Sequence, residues 1–161
     1  MALQLGATTP SFDREHTVDF TYPTAHITKQ LILDTLPQFE GDIMQVPPAY
    51  SACKVDGHRA YKLKRKGHEV ELKAKPLHVD RVELTDFDPT TMRMSIRVEC
   101  GKGTYIRALA RDIGYALGSG AYLTALCRTR LGKVRIEDCI SIDDFPQWLD
   151  SQTIEDDIPQ Q

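Results

Sequence analysis

Met92-Arg93-Met94-Ser95-Ile96-Arg97-Val98-Glu99-Cys100-Gly101-Lys102-Gly103-Thr104-Tyr105-Ile106-Arg107 carries two structural periods in succession. Up to Cys100 the apolar and polar residues alternate without a break, which is the period of a half-buried strand. Gly101 and Gly103 then allow a tight turn, and a helix follows. Thr104 is placed to cap it. Ile106, Leu109, Ala110, Ile113 and Leu117 form its apolar stripe, and Gly118 ends it. Working outward, Leu77 to Leu84 alternates more loosely and is expected to pair with the strand across an Asp86–Thr91 turn. Ala121, Leu123, Ala125 and Cys127 alternate with Tyr122, Thr124, Leu126 and Arg128, which predicts a further strand.

The N-terminal half is less regular. Leu3-Gln4-Leu5-Gly6 reads as the end of a strand with no element before it to pair with, a first sign of truncation. Residues 7–26 read as an extended loop. Thr28 is expected to cap a helix with Leu31, Ile32 and Leu36 on one face, stopped by Pro37. Pro47 and Pro48 fix a stiff extended backbone. Ser51 to Val55 predicts a short strand ending at Asp56-Gly57, followed by a basic helix over His58–Lys66. Ser141 to Leu149 predicts a short helix, with Ser141 and Asp144 at capping-box spacing. Runs of strands with interspersed helices, and no regular βαβ alternation, predict an α+β fold. Its sheet is mixed or antiparallel, with flanking helices.

Composition bounds the function. At 161 residues the chain is long enough for one domain with a real core. No run of 18 apolar residues exists, so no membrane partner is expected. The first residues have no signal-peptide pattern, which predicts a cytoplasmic protein. The four cysteines show no Cys-x-x-Cys spacing and are expected to be buried thiols. The five histidines lack ligand spacing, so no metal is expected. Net charge is -3, yet all 20 Lys and Arg lie at or before Arg135. Residues 1–135 hold 15 of the 23 acidic residues and so carry net +5, while the tail is acidic. That asymmetry permits a polyanionic partner.

Three groups of residues suit such a partner. Tyr105 and Arg107 sit in the first turn of a helix entered through a glycine turn, where backbone N–H groups favour anions. A cation there is disfavoured by the helix dipole, so Arg107 needs a carboxylate or phosphate. From spacing alone, a surface Arg and a half-buried Tyr remain open. Lys54, His58, Arg59, Lys62, Lys64, Arg65 and Lys66 are interleaved with Tyr61, a pattern suited to phosphate contact with base stacking, or to a solvated amphipathic helix. Arg128, Arg130, Lys133 and Arg135 form the third group.

Four blocks, in order, resemble the TruB family of tRNA pseudouridine synthases. They are Gly6-Ala7-Thr8-Thr9-Pro10-Ser11-Phe12-Asp13; the run Gln45-Val46-Pro47-Pro48-Ala49-Tyr50-Ser51-Ala52-Cys53-Lys54-Val55-Asp56-Gly57-His58-Arg59-Ala60-Tyr61; Val98 to Arg107; and Asp112 to Ala121 with Leu126 to Arg128. The resemblance implies a partial pseudouridine-synthase-like catalytic domain over residues 1–149, with a disordered acidic tail at 150–161. It implies an isomerase that converts the T-loop uridine of tRNA to pseudouridine without cofactor or metal, flipping the base from its stack. Arg107 would hold the catalytic Asp ionised, Tyr105 would pack beside the pair, and Leu126 would line the base pocket, a plain core leucine being the alternative. Lys54, His58, Arg59, Tyr61, Lys62, Lys102 and Arg128 would contact RNA, the partner being the tRNA T stem-loop.

Two departures concern the loops: Gly101 replaces a serine, and Asp13-Arg14-Glu15-His16 replaces Asp-x-x-Gly. A third concerns chemistry. The family's Gly-x-Leu-Asp-Pro-x-Ala-Thr-Gly motif, which bears the catalytic Asp, occurs nowhere in the chain. The chain is therefore expected to be the central and C-terminal portion of a synthase, inactive alone, with Arg107 an unpaired cation and with exposed sheet edges that favour self-association. The alternative is a catalytically dead tRNA- or RNA-binding module.

Overall fold

The alternating run folds as read. In the computed structural model Arg93–Cys100 is a strand with Met94 and Ile96 buried and Arg93, Arg97 and Glu99 exposed. The structure describes residues 1–51, 54–55, 58–59 and 72–152, with the backbone alone at 54–55 and 58–59. It divides into two units, Met1–Leu126 and Cys127–Gln161.

In the first unit the strands are β1 (Ala2–Leu5), β2 (Ala7–Thr8), β3 (Phe20–Thr21), β4 (Gly41–Gln45), β5 (Lys54–Val55), β6 (His58–Arg59), β7 (Lys75–Asp88), β8 (Arg93–Cys100) and β9 (Ala121–Ala125). The helices are α1 (Lys29–Thr35), continued by a 3-10 turn at Leu36–Phe39, and α2 (Ile106–Ala116). A five-stranded antiparallel sheet runs in the order β4-β7-β8-β1-β9. The fold is thus α+β with an antiparallel sheet, as the sequence predicts.

Leu3 does not lack a partner: β1 lies inside the sheet, with Leu3 opposite Met94 on one side and Leu123 on the other. Its short length hid how central it is. Residues 7–26 are not wholly loop, because β2 and β3 form a small hairpin with Thr8 opposite Phe20. His58–Arg59 is strand rather than helix, paired antiparallel with Lys54–Val55. The rest of the expected basic helix lies outside the described residues.

Buried side chains from the sheet (Leu3, Leu5, Val79, Val82, Met94, Ile96, Leu123) and from the helices (Ile32, Leu36, Leu109, Ile113, Leu117) join one cluster. At about 25 cal/mol per Å² of apolar surface removed from water, this is the main favourable term holding the sheet to its helices. Thr28 caps α1, its hydroxyl accepting from Leu31 N at 3.1 Å. Gly118, at φ +66°, closes α2 in a Schellman motif: its N–H bonds Tyr115 O at 2.9 Å, and Ser119 N bonds Gly114 O at 3.0 Å. A Cβ added at Gly114 would lie 2.4 Å from Ala121 N, so α2 rests directly on the start of β9.

The second unit contains a two-residue hairpin, β10 (Arg130–Leu131) with β11 (Val134–Arg135), a 3-10 turn at Ile136–Asp138, and α3 (Phe145–Asp150). Ser141 Oγ donates to Asp144 Oδ2 at 2.7 Å and accepts from Asp144 N at 3.1 Å, but it does not cap the helix: Asp144 is the N-cap, without a side-chain cap bond, because the chain turns before it becomes helical. Cys127 and Cys139 are exposed and Cys100 is half-buried, against the expectation of buried thiols; Cys53 lies outside the described residues. Among the described residues no helix is long and apolar enough to cross a membrane. Residues 153–161, most of the acidic tail, lie outside the description.

Candidate functional site

The loop after β1 is built around hydroxyls. Gly6 adopts φ +87° where a Cβ would meet Thr24 Cγ2 at 2.5 Å, and this releases the chain from the sheet. Thr8, Thr9 and Ser11 are buried, and each hydroxyl has a partner, as buried polar groups require. Thr8 Oγ1 donates to Asp19 Oδ1 at 2.7 Å. Thr9 Oγ1 donates to Asp13 O at 2.7 Å and accepts from Asp13 N at 3.1 Å. Phe12 takes φ 58°, a left-handed conformation that is rare without glycine and turns the loop on itself. Ser11 Oγ donates to Asp13 Oδ1 at 2.6 Å, and Glu15 N donates to the same oxygen at 2.9 Å.

Arg107 meets this loop from the first turn of α2. Its Nη1 donates to Asp13 Oδ2 at 3.0 Å and reaches Ser11 O at 3.4 Å, while Nη2 donates to Tyr50 O at 2.8 Å. The guanidinium is therefore not an unpaired cation. The carboxylate that the helix dipole calls for is Asp13, 94 residues away. The two side chains are 25% and 24% exposed, partly desolvated and only partly screened by water. Burial alone pushes the Asp13 carboxyl up. The Ser11 and Glu15 hydrogen bonds and the Arg107 charge outweigh it and bring Asp13 below its usual 3.8. One turn further along α2, Arg111 ties the same two segments: Nη2 donates to Val46 O at 2.9 Å, and the guanidinium lies 5.5 Å from the Phe12 ring centre. Arg111 Nε is held by Asp112 at 2.7 Å.

Thr104 does not cap α2. Its hydroxyl donates to Gly101 O at 3.0 Å, and Tyr105 occupies the N-cap position. The cap comes from the sheet. Gln45, buried at the end of β4, accepts from Tyr105 N at 2.9 Å and donates to Tyr105 O at 3.2 Å. One amide side chain satisfies both backbone groups of Tyr105, as a neighbouring strand would. Glycine 103, at φ +88°, makes the turn that precedes it, and Lys102 stands exposed on that turn.

Of the residues singled out from sequence, Arg107 and Tyr105 are neighbours at the start of α2, both half-buried, and Lys102 is close in sequence to them. Leu126 is 55% exposed, so it is not a core leucine. Arg128 is exposed and belongs to the second unit. Tyr61 and Lys62 lie outside the described residues, as do the side chains of Lys54, His58 and Arg59. Asp13, Ser11 and Gln45 received no role from sequence, although all three stand in the quoted blocks. Among the described residues no three His, Cys, Asp or Glu side chains are grouped to share a metal ion.

Three sequence-distant blocks thus converge on one guanidinium: the loop Gly6–Asp13, the proline segment through Tyr50, and the turn Cys100–Arg107. A family model described as TruB family pseudouridylate synthase (N terminal domain) matches residues 1–106, and one described as tRNA pseudouridylate synthase B C-terminal domain matches residues 107–159. The chain belongs to the TruB family. A relative from Phocaeicola vulgatus named tRNA pseudouridine synthase B is 62% identical over 154 residues, covering 96% of this chain and 65% of that protein. The same name belongs to a Bacteroides thetaiotaomicron relative, 61% identical over 157 residues with the same coverage. The chain spans about 65% of the length of these curated TruB relatives. Its fold matches a solved Cbf5-Nop10-Gar1 complex with TM-score 0.64 at 24% identity, over 92% of this chain and 34% of that one.

Proposed function

We propose that this chain serves pseudouridine formation in tRNA, its substrate being the T stem-loop. The convergence of three TruB blocks on Arg107 carries this reading. Arg107 Nε has no hydrogen bond among the described residues, and a guanidinium offers five donors. Among the described residues a donor is therefore left for the catalytic carboxylate of the family. Asp13 and the Tyr50 carbonyl fix the guanidinium plane in advance, so the carboxylate meets an oriented partner and stays ionised. Tyr105 packs beside it, and the exposed Leu126 is free to meet a flipped base. Lys54, His58, Arg59, Tyr61, Lys62, Lys102 and Arg128 hold the RNA through phosphate contact and stacking. No cofactor or metal enters.

A polypeptide of these 161 residues contains no Leu-Asp-Pro, so it is expected to bind a T-arm RNA hairpin and not to isomerise its uridine. Fluorescence anisotropy should show hairpin binding that weakens with salt and exceeds binding to a scrambled strand, and a pseudouridine assay should stay at the no-protein level. Equal affinity for both RNAs would overturn the substrate assignment. Turnover would overturn the inactivity.

A further inference from the structure

His16 stands where the loop pattern of the resemblance has glycine, and it touches both segments that Arg107 ties together. Its Nδ1 lies 3.0 Å from Ser11 Oγ, and its ring packs on Tyr50 with centres 4.8 Å apart and planes tilted by 47°. The proton positions follow from counting donors. A serine hydroxyl has one hydrogen. Ser11 Oγ is 2.6 Å from Asp13 Oδ1, the length of a hydroxyl donating to a carboxylate. Asp13, accepting also from Glu15 N and Arg107 Nη1, has no proton to give. The Ser11 hydrogen is therefore committed to Asp13, and the contact with His16 must be donated by the ring.

We propose that His16 is a positioning residue of the Arg107 site, locked in the Nδ1–H tautomer, that holds Ser11 and Tyr50 so that both arms of the Arg107 clamp keep their places. The chain of donors runs from His16 Nδ1 to Ser11 Oγ to Asp13 Oδ1, and the other Asp13 oxygen accepts from Arg107. Each bond polarises the next. The ring contact holds Tyr50, whose carbonyl takes the second Arg107 nitrogen. The role in RNA recognition rests on the function proposed above; the tautomer and the clamp do not.

The test uses the 161-residue chain. Long-range 1H–15N spectra at pH 8 should show the His16 proton on Nδ1 and a bare Nε2. Ser11→Ala should release the ring toward the mixture seen for free imidazole. A wild-type proton on Nε2 would sink the proposal. Exchange of the Arg107 guanidinium hydrogens should quicken several-fold in His16→Ala and in His16→Gln. It should stay near wild type in His16→Asn, whose amide N–H can take the place of Nδ1–H. T-arm hairpin affinity should fall about three- to tenfold in the Ala and Gln variants and recover in the Asn variant. Identical exchange in all four proteins would overturn the positioning role. If the wild type binds no hairpin, the functional reading fails while the spectra and exchange rates still decide the role of His16.

Discussion

The two units of the chain use their apolar residues in opposite ways. Every buried apolar side chain among the described residues lies in Met1–Leu126, whereas Leu131, Val134, Ile142, Phe145, Trp148 and Leu149 of the second unit are exposed, Ile142 by 90%. The described bonds of the second unit are short in range: Arg130 opposite Arg135, Cys139 Sγ on Arg135 O, Ser141 with Asp144. Those of the first unit reach far, placing Leu3 opposite Met94 and Arg107 on Asp13. Local hydrogen bonding can shape a short segment, but a core needs enough chain to enclose it. Order in one unit is cooperative, and in the other it is made turn by turn.

The contrast can be broken or sharpened by substitution. The largest effect is expected for Leu109→Ala, which empties a fully buried site in the core cluster. It should cost the first unit about 2–5 kcal/mol in denaturant titration. Next comes Asp13→Asn, which keeps the shape and removes the charge facing Arg107, costing roughly 1.5 kcal/mol near pH 7. Because the folded pKa of Asp13 is depressed, its contribution is complete above the ordinary 3.8 and disappears as pH falls through the lower folded value. Thermal melts should therefore separate wild type and Asp13→Asn at pH 7, and the gap should narrow below pH 3.8. Smallest is Trp148→Ala, expected within about 0.5 kcal/mol of wild type in the same titration. Trp148 contacts Phe145 with ring centres 5.7 Å apart and is 40% exposed. A cost for Trp148→Ala equal to that of Leu109→Ala would erase the distinction between the units.

What could be read in the sequence follows the same divide. Period-2 alternation located β8, and helical spacing located α2, because each pattern is written within a few residues. The bonding of Ser141 with Asp144 was legible for that reason too, although the helix starts after the pair instead of being capped by it. Arg107 stood out because a cation at a helix N-terminus demands an anion. Asp13 could not be named as that anion, since no local pattern links residues 94 apart. Thr104 has the residue type and the place of a local cap, yet the sheet supplies the cap through Gln45. The two-residue strands β2 and β3 were invisible for lack of length. Leu126 was ambiguous because burial is decided by what surrounds a residue.

The grip of Gln45 on Tyr105 has a consequence for how this site can change over time. An amide that binds a main-chain N–H and C=O is indifferent to the side chain between them. The location of position 105 is thereby inherited separately from its chemistry. Substitutions there can alter what the position offers a ligand without moving it, whereas a change at Gln45 displaces whatever residue stands at 105.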